Sequence, residues 1–113
     1  MAATQQSGYL RLGSRSLYVT RFTPTSPARA VVVLYDGFGE EKKSAFRVMV
    51  RLARACTARG LAAVRFDFSG TGESAGDHAA ATWEDWNADA LGVADWARQQ
   101  VPAGRWCAVG VRL

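Results

Sequence analysis

No stretch of this sequence approaches the roughly 18 consecutive apolar residues that a membrane span needs. The opening residues Met1-Ala2-Ala3-Thr4-Gln5-Gln6-Ser7 carry neither a charged start nor an apolar core for secretion. No membrane span is expected, and the cytoplasm is the expected compartment. Cysteine is scarce. Cys56 and Cys107 stand far apart and outside any Cys-x-x-Cys spacing, which leaves a zinc site or redox motif unsupported and makes two reduced, buried packing thiols the expectation. Histidine occurs once, as His78. Concentrated positive charge is missing too: 14 Lys and Arg stand against 10 Asp and Glu, for a net charge of +4, but the arginines are spread from Arg11 to Arg112. The densest charged run, Glu40-Glu41-Lys42-Lys43, mixes both signs. Nucleic-acid binding draws affinity from clustered cations that displace phosphate counterions, so no nucleic-acid partner is expected. Arg47, Arg51 and Arg54 share one helical face, which reads as a solvated outer surface.

What is present suits one small domain: 113 residues, 49% of them hydrophobic, are enough for a core. Residues 1–8 are expected to be disordered. From Tyr9 to Leu12 and from Ser16 to Phe22, apolar and polar residues alternate around Gly13-Ser14, the pattern of an antiparallel hairpin with one wet face. The prolines of Thr23-Pro24-Thr25-Ser26-Pro27 then break the chain into a loop. Ala30 to Tyr35 is an unbroken, β-branched apolar run, expected of a parallel strand covered on both faces. A helix follows from Ser44, with Phe46, Met49, Val50, Ala53 and Cys56 on one stripe and Gly60 as its stop. Leu61 to Phe66 is a second covered strand. Thr82 and Asp85 form a capping box for a second helix whose stripe is Trp83, Trp86, Ala90, Val93, Ala94 and Ala97. Pro102 and Gly104 end it, and Arg105 to Gly110 is a third covered strand. The alternation predicts an α/β fold, a doubly wound, mostly parallel sheet with right-handed crossovers and an N-terminal β hairpin.

In such sheets ligands bind beyond the carboxyl ends of the strands, so the chemistry belongs to the loops after Tyr35, Phe66 and Gly110. The glycines of Asp67-Phe68-Ser69-Gly70-Thr71-Gly72-Glu73-Ser74-Ala75-Gly76-Asp77 could mark a dinucleotide site, but Gly76 falls one place late for G-x-G-x-x-G. No helix starts at once, and Glu73 and Asp77 would repel a pyrophosphate. A nucleotide-binding domain is therefore a distant alternative, and no cofactor is expected. Asp67 and Ser74 are expected to bond backbone groups of a tight turn. His78, Glu73, Asp77, Glu84 and Asp85 read as loop and capping residues, so no metal is expected.

Taken in order, Asp36-Gly37-Phe38-Gly39, Asp67 to Ser74, and Val109-Gly110-Val111-Arg112-Leu113 resemble the α/β-hydrolase superfamily. Gly39-Glu40-Glu41-Lys42-Lys43-Ser44, Gly70 to Asp77 and Ala81-Thr82-Trp83-Glu84-Asp85-Trp86 look most like hydrolases associated with exosortase and exopolysaccharide systems. The resemblance runs from about Tyr9 to Leu113. It implies a partial α/β-hydrolase fold ending at the nucleophile elbow, belonging to an ester or thioester hydrolase whose partner is a small acyl substrate. It makes the turn after Tyr35 the oxyanion loop, with the Phe38 N–H as one donor and with Gly37 and Gly39 clearing the approach. Many relatives have His-Gly where this chain has Asp36-Gly37, and without the resemblance these residues serve equally as an ordinary glycine turn. In the elbow pattern Gly-x-Ser-x-Gly, Gly110 leads, Arg112 takes the serine position, and Leu113 would give the second oxyanion N–H. A permanently protonated guanidinium cannot be an acyl-accepting nucleophile. In the family the acid and the histidine come after the nucleophile, and His78 precedes it. The chain alone is therefore expected to be an inactive, truncated, serine-hydrolase-like scaffold, whose final strand leaves an edge open to self-association. The alternative is a non-catalytic hydrolase-like binding protein that uses Arg112 to hold an anion.

Overall fold

The computed structural model describes residues 4–35, 40–71, 74, 81–101 and 105–110, with backbone alone for 40–45. The elements in chain order are β1 (Thr4–Leu12), β2 (Arg15–Thr23), β3 (Val31–Tyr35), α1 (Glu40–Ala58), β4 (Ala62–Phe66), α2 (Trp83–Gln99) and β5 (Trp106–Gly110). The strands form one sheet in the order β1-β2-β4-β3-β5. β4, β3 and β5 are parallel, and the β1–β2 hairpin joins antiparallel to β4. The fold is therefore α/β, with a parallel centre and an N-terminal hairpin.

The apolar run of β3 explains the layering. Side chains along a strand alternate between faces, so Val31, Val33 and Tyr35 enter one core, with Phe66, Phe68, Val93 and Ala97. Val32 and Leu34 enter the other, with Met49, Ala53 and Cys56 of α1. One helix covers each face, and every residue of β3 is buried. β3 leads through α1 to β4 on one side, and β4 leads through α2 to β5 on the other, so the winding direction reverses at β3. α1 stops as expected: Gly60 adopts φ 79, a left-handed conformation that favours glycine. At the start of α2, Thr82 Oγ1 accepts from Asp85 N–H at 3.1 Å while Asp85 Oδ2 accepts from Thr82 N–H at 3.0 Å, a complete capping box.

Several expectations need correction. Residues 4–8 are not disordered: they pair with Val19 to Thr23 as the first half of β1, because backbone bonding to a neighbouring strand does not need apolar side chains. α1 begins at Glu40, a turn before Ser44. Trp83 is 60% exposed, since burial along α2 is confined to Asp89, Val93, Ala94 and Ala97. Phe46 is about half exposed, with the Arg65 guanidinium 4.7 Å from its ring centroid. β5 is not covered on both faces: only Val109 is partly buried, and Cys107 is exposed where a buried thiol was expected.

Candidate functional site

Parallel register brings the carboxyl ends of β4, β3 and β5 side by side. Leu34 pairs with Arg65 on one side and Val109 on the other, and Tyr35 pairs with Gly110. The segments that begin at positions 36, 67 and 111 thus leave neighbouring strands at the same edge, where the winding reverses, which is where open α/β sheets bind ligands. Gly37, Phe38, Gly39, Gly72, Arg112 and Leu113 lie outside the described residues, as do Glu73, Asp77 and His78. Asp67, Gly70, Ser74 and Gly110 lie within them.

The loop after β4 is held by a dense set of backbone bonds. Ser74 Oγ donates to the Asp67 carbonyl at 2.5 Å and accepts from Tyr18 N–H at 2.8 Å, while Asp67 N–H donates to the Tyr18 carbonyl at 3.0 Å. One hydroxyl thereby clamps both ends of the loop onto β2. Between them Thr71 donates to the Phe68 carbonyl from its N–H and its hydroxyl, at 2.9 and 2.7 Å. Gly70 sits in this turn at φ 74, where a Cβ would be strained. Asp67 is itself buried, with Oδ1 4.0 Å from Nη2 of the buried Arg65.

Asp89 is the residue that sequence reasoning missed. It is 0% exposed, and Oδ2 accepts from Ser69 N–H at 2.8 Å while Oδ1 accepts from Arg15 Nε at 2.6 Å. Trp86 Nε1 donates to the Ser69 carbonyl at 2.9 Å. α2 therefore grips both backbone groups of Ser69 and ties the hairpin to the same point. The signal was available: Asp89 falls between Trp86 and Val93 on the apolar stripe, and a carboxylate there needs a partner, since burying an unpaired charge is prohibitive. Ser69 Oγ is buried with no hydrogen-bond partner among the described residues. At the end of β3, Tyr35 donates from its hydroxyl to the Ala90 carbonyl at 3.0 Å, and burial pushes its phenol above the usual value of 10.0. Its ring begins an aromatic series running through Phe66, Phe68 and Trp86 to Trp83.

Among the described residues no three His, Cys, Asp or Glu gather to hold a metal, and no helix is long and apolar enough to cross a membrane. No family model and no curated protein matches this sequence. Solved structures do. Alpha/beta hydrolase domain-containing protein 10 from mouse is 26% identical with a TM-score of 0.66, over 93% of this chain and 39% of that protein. A serine hydrolase without a lid from Xanthomonas campestris is 26% identical with a TM-score of 0.71, over 94% of this chain and 50% of the other. Est1E from Butyrivibrio proteoclasticus, solved with ferulic acid bound, shares the fold at 21% identity and a TM-score of 0.75, over 91% of this chain and 41% of its own. The chain spans half or less of each of these proteins. Its fold is that of an α/β hydrolase.

Proposed function

We propose that this chain is the oxyanion-side half of an ester or thioester hydrolase acting on a small acyl substrate in the cytoplasm, and that as 113 residues it performs no turnover. The observation that carries the reading is the pairing of Tyr35 with Gly110, which sends the segments bearing Phe38 and Leu113 away from adjacent strands. On this reading the N–H groups of Phe38 and Leu113 are the two donors to the oxyanion of acyl transfer, a contribution worth about 3–4 kcal/mol per donor in a formed site. The chain leaving β4 is held at Asp67 by Ser74 and at Ser69 by Asp89. Arg112 stands where the family places its nucleophilic serine, and its guanidinium cannot attack an acyl group. The motif likeness from Gly39 to Ser44, from Gly70 to Asp77 and from Ala81 to Trp86 favours exopolysaccharide systems as the setting.

Paramagnetic relaxation tests the arrangement. With a nitroxide at position 38 in a C56A/C107A background, the amide signals of residues 111–113 should be strongly broadened. Unaffected signals there would remove the oxyanion assignment, while selective binding of acetate or phosphate by the parent but not by R112A would favour the anion-binding alternative.

A further inference from the structure

The hairpin and α2 border a groove that the candidate site does not use. Gly8 pairs with Val19 and Gln6 with Arg21. Paired residues share a face, and Val19 belongs to the core cluster to which α2 contributes Val93 and Ala97, so these four lie on the side of α2. Between them and Trp96, near the end of α2, with its C-cap Gln100, lies a space of about 570 Å³, within the usual range for small-molecule sites. Its walls are apolar at Leu10, Val19 and Trp96. Gly8 leaves it open, since a Cβ there would meet nothing within 4 Å. Arg21 is the only charged residue lining the groove, and it makes no ion pair among the described residues. Its guanidinium donates from Nη1 to Gln100 Oε1 at 3.2 Å and from Nη2 to Gln6 Oε1 at 2.9 Å, and stands 5.9 Å from the centre of the Trp96 ring. Gln100 is anchored in turn, donating from Nε2 to the Trp96 carbonyl at 3.4 Å. Neutral amides thus hold the cation in place without cancelling its charge. Asp95, beside Trp96 in sequence, pairs with Arg98 at 3.7 Å.

We propose that this groove binds a small amphipathic monocarboxylate, with its carboxylate on Arg21 and its apolar body against Trp96, Leu10 and Val19. A guanidinium has more donors than the bonds to Gln6 and Gln100 use, and its planar fork matches the geometry of a carboxylate. A single cation balances a single negative charge, which favours a monoanion over a phosphate dianion. The apolar body gains by leaving water for side chains that the sheet and helix already hold in place. α2 runs from the loop after β4 back to the amino end of β5, so a groove beside its last turns lies away from the strand ends of the candidate site. The proposal does not depend on the hydrolase reading.

The probe is phenylbutyrate, titrated into the isotope-labelled chain at low protein concentration and followed by NMR, with phenylbutyramide, acetate and inorganic phosphate in parallel. Phenylbutyrate should move the amide signals of Gly8 and Val19 and the indole signal of Trp96 saturably, and the other three compounds far less. R21M, which keeps an aliphatic side chain, should weaken binding at least about tenfold, the worth of a lost charge-assisted bond, while R21K should retain part of the affinity. G8F, at a strand position where a Cβ has open space, should keep the parent circular dichroism and abolish binding. No saturation by phenylbutyrate, equal binding of phenylbutyramide, equal affinity in R21M, or tighter binding of phosphate would each overturn the proposal. So would undiminished binding by G8F, or shifts confined to the neighbouring cavity at Ala28, Val31 and Ala62.

Discussion

Replacing Asp89 with alanine should cost more stability than any other single truncation on α2. The change leaves Ser69 N–H buried without an acceptor, which costs about 1–3 kcal/mol. It also breaks an ion pair whose carboxylate is wholly buried and whose arginine side chain is 30% exposed. Fully buried pairs lose about 3–5 kcal/mol when one partner is removed, and the exposure of Arg15 discounts that figure for solvent screening. Together the effects come to about 3 kcal/mol, a large share of a net stability of about 5–15 kcal/mol. At about 4–8 °C per kcal/mol for a domain near this size, the midpoint should fall by at least about 12 °C. Asn in place of Asp keeps one oxygen for Ser69 N–H and should lose about half as much. Circular dichroism melts and urea titrations of D89A, D89N, R15A and the D89A/R15A double variant give the values. In the double variant no charge is left buried, so its loss should fall short of the sum of the singles by more than about 0.5 kcal/mol. A D89A protein within about 0.5 kcal/mol of the parent, or strict additivity, would show that Asp89 does not organise the loop.

Alkaline pH should destabilise the fold through Tyr35. Its folded-state value is raised by burial above 10.0, so the stability it contributes is full below about pH 10 and is lost as the pH rises through the folded value. Y35F should lose about 1 kcal/mol at neutral pH from the missing bond to the Ala90 carbonyl, yet show a shallower alkaline decline in urea titrations between neutral and strongly basic buffers. An unchanged alkaline slope would deny Tyr35 that role. β5 pairs with β3 on one side only among the described residues, and Trp106 is 42% exposed. Sedimentation velocity should therefore show concentration-dependent association of the chain through this edge, weakened by A108K, because a lysine on an open strand edge disfavours pairing. A parent that stays monomeric across the accessible range would contradict this.

The parallel centre of the fold was legible because its cause is local. A run such as Val31 to Tyr35 can be satisfied only where both faces are covered, and the glycine and capping signals at Gly60, Thr82 and Asp85 act within one helical turn. What escaped depends on partners distant in the chain. Thr4, Gln5, Gln6 and Ser7 have no apolar pattern and become strand only because β2 lies beside them. Asp89 lies on the apolar stripe of α2, but its partners Arg15 and Ser69 come from the hairpin and the β4 loop. Cys107 sits in a strand with an apolar sequence, but its exposure is set by which elements flank β5. At the candidate site, the alignment of three strand ends followed from strand order, whereas the clamp that holds the chain after β4 involves Tyr18, remote in sequence.

The central claim is that this chain presents a hydrolase scaffold with Arg112 at the nucleophile position. The most direct measurement is turnover of short-chain nitrophenyl esters and acyl thioesters by the purified 113-residue chain. The account predicts rates equal to the buffer background at every substrate concentration. Saturable hydrolysis, abolished by a serine-directed phosphonate, would contradict it and transfer the chemistry to Ser44, Ser69 or Ser74.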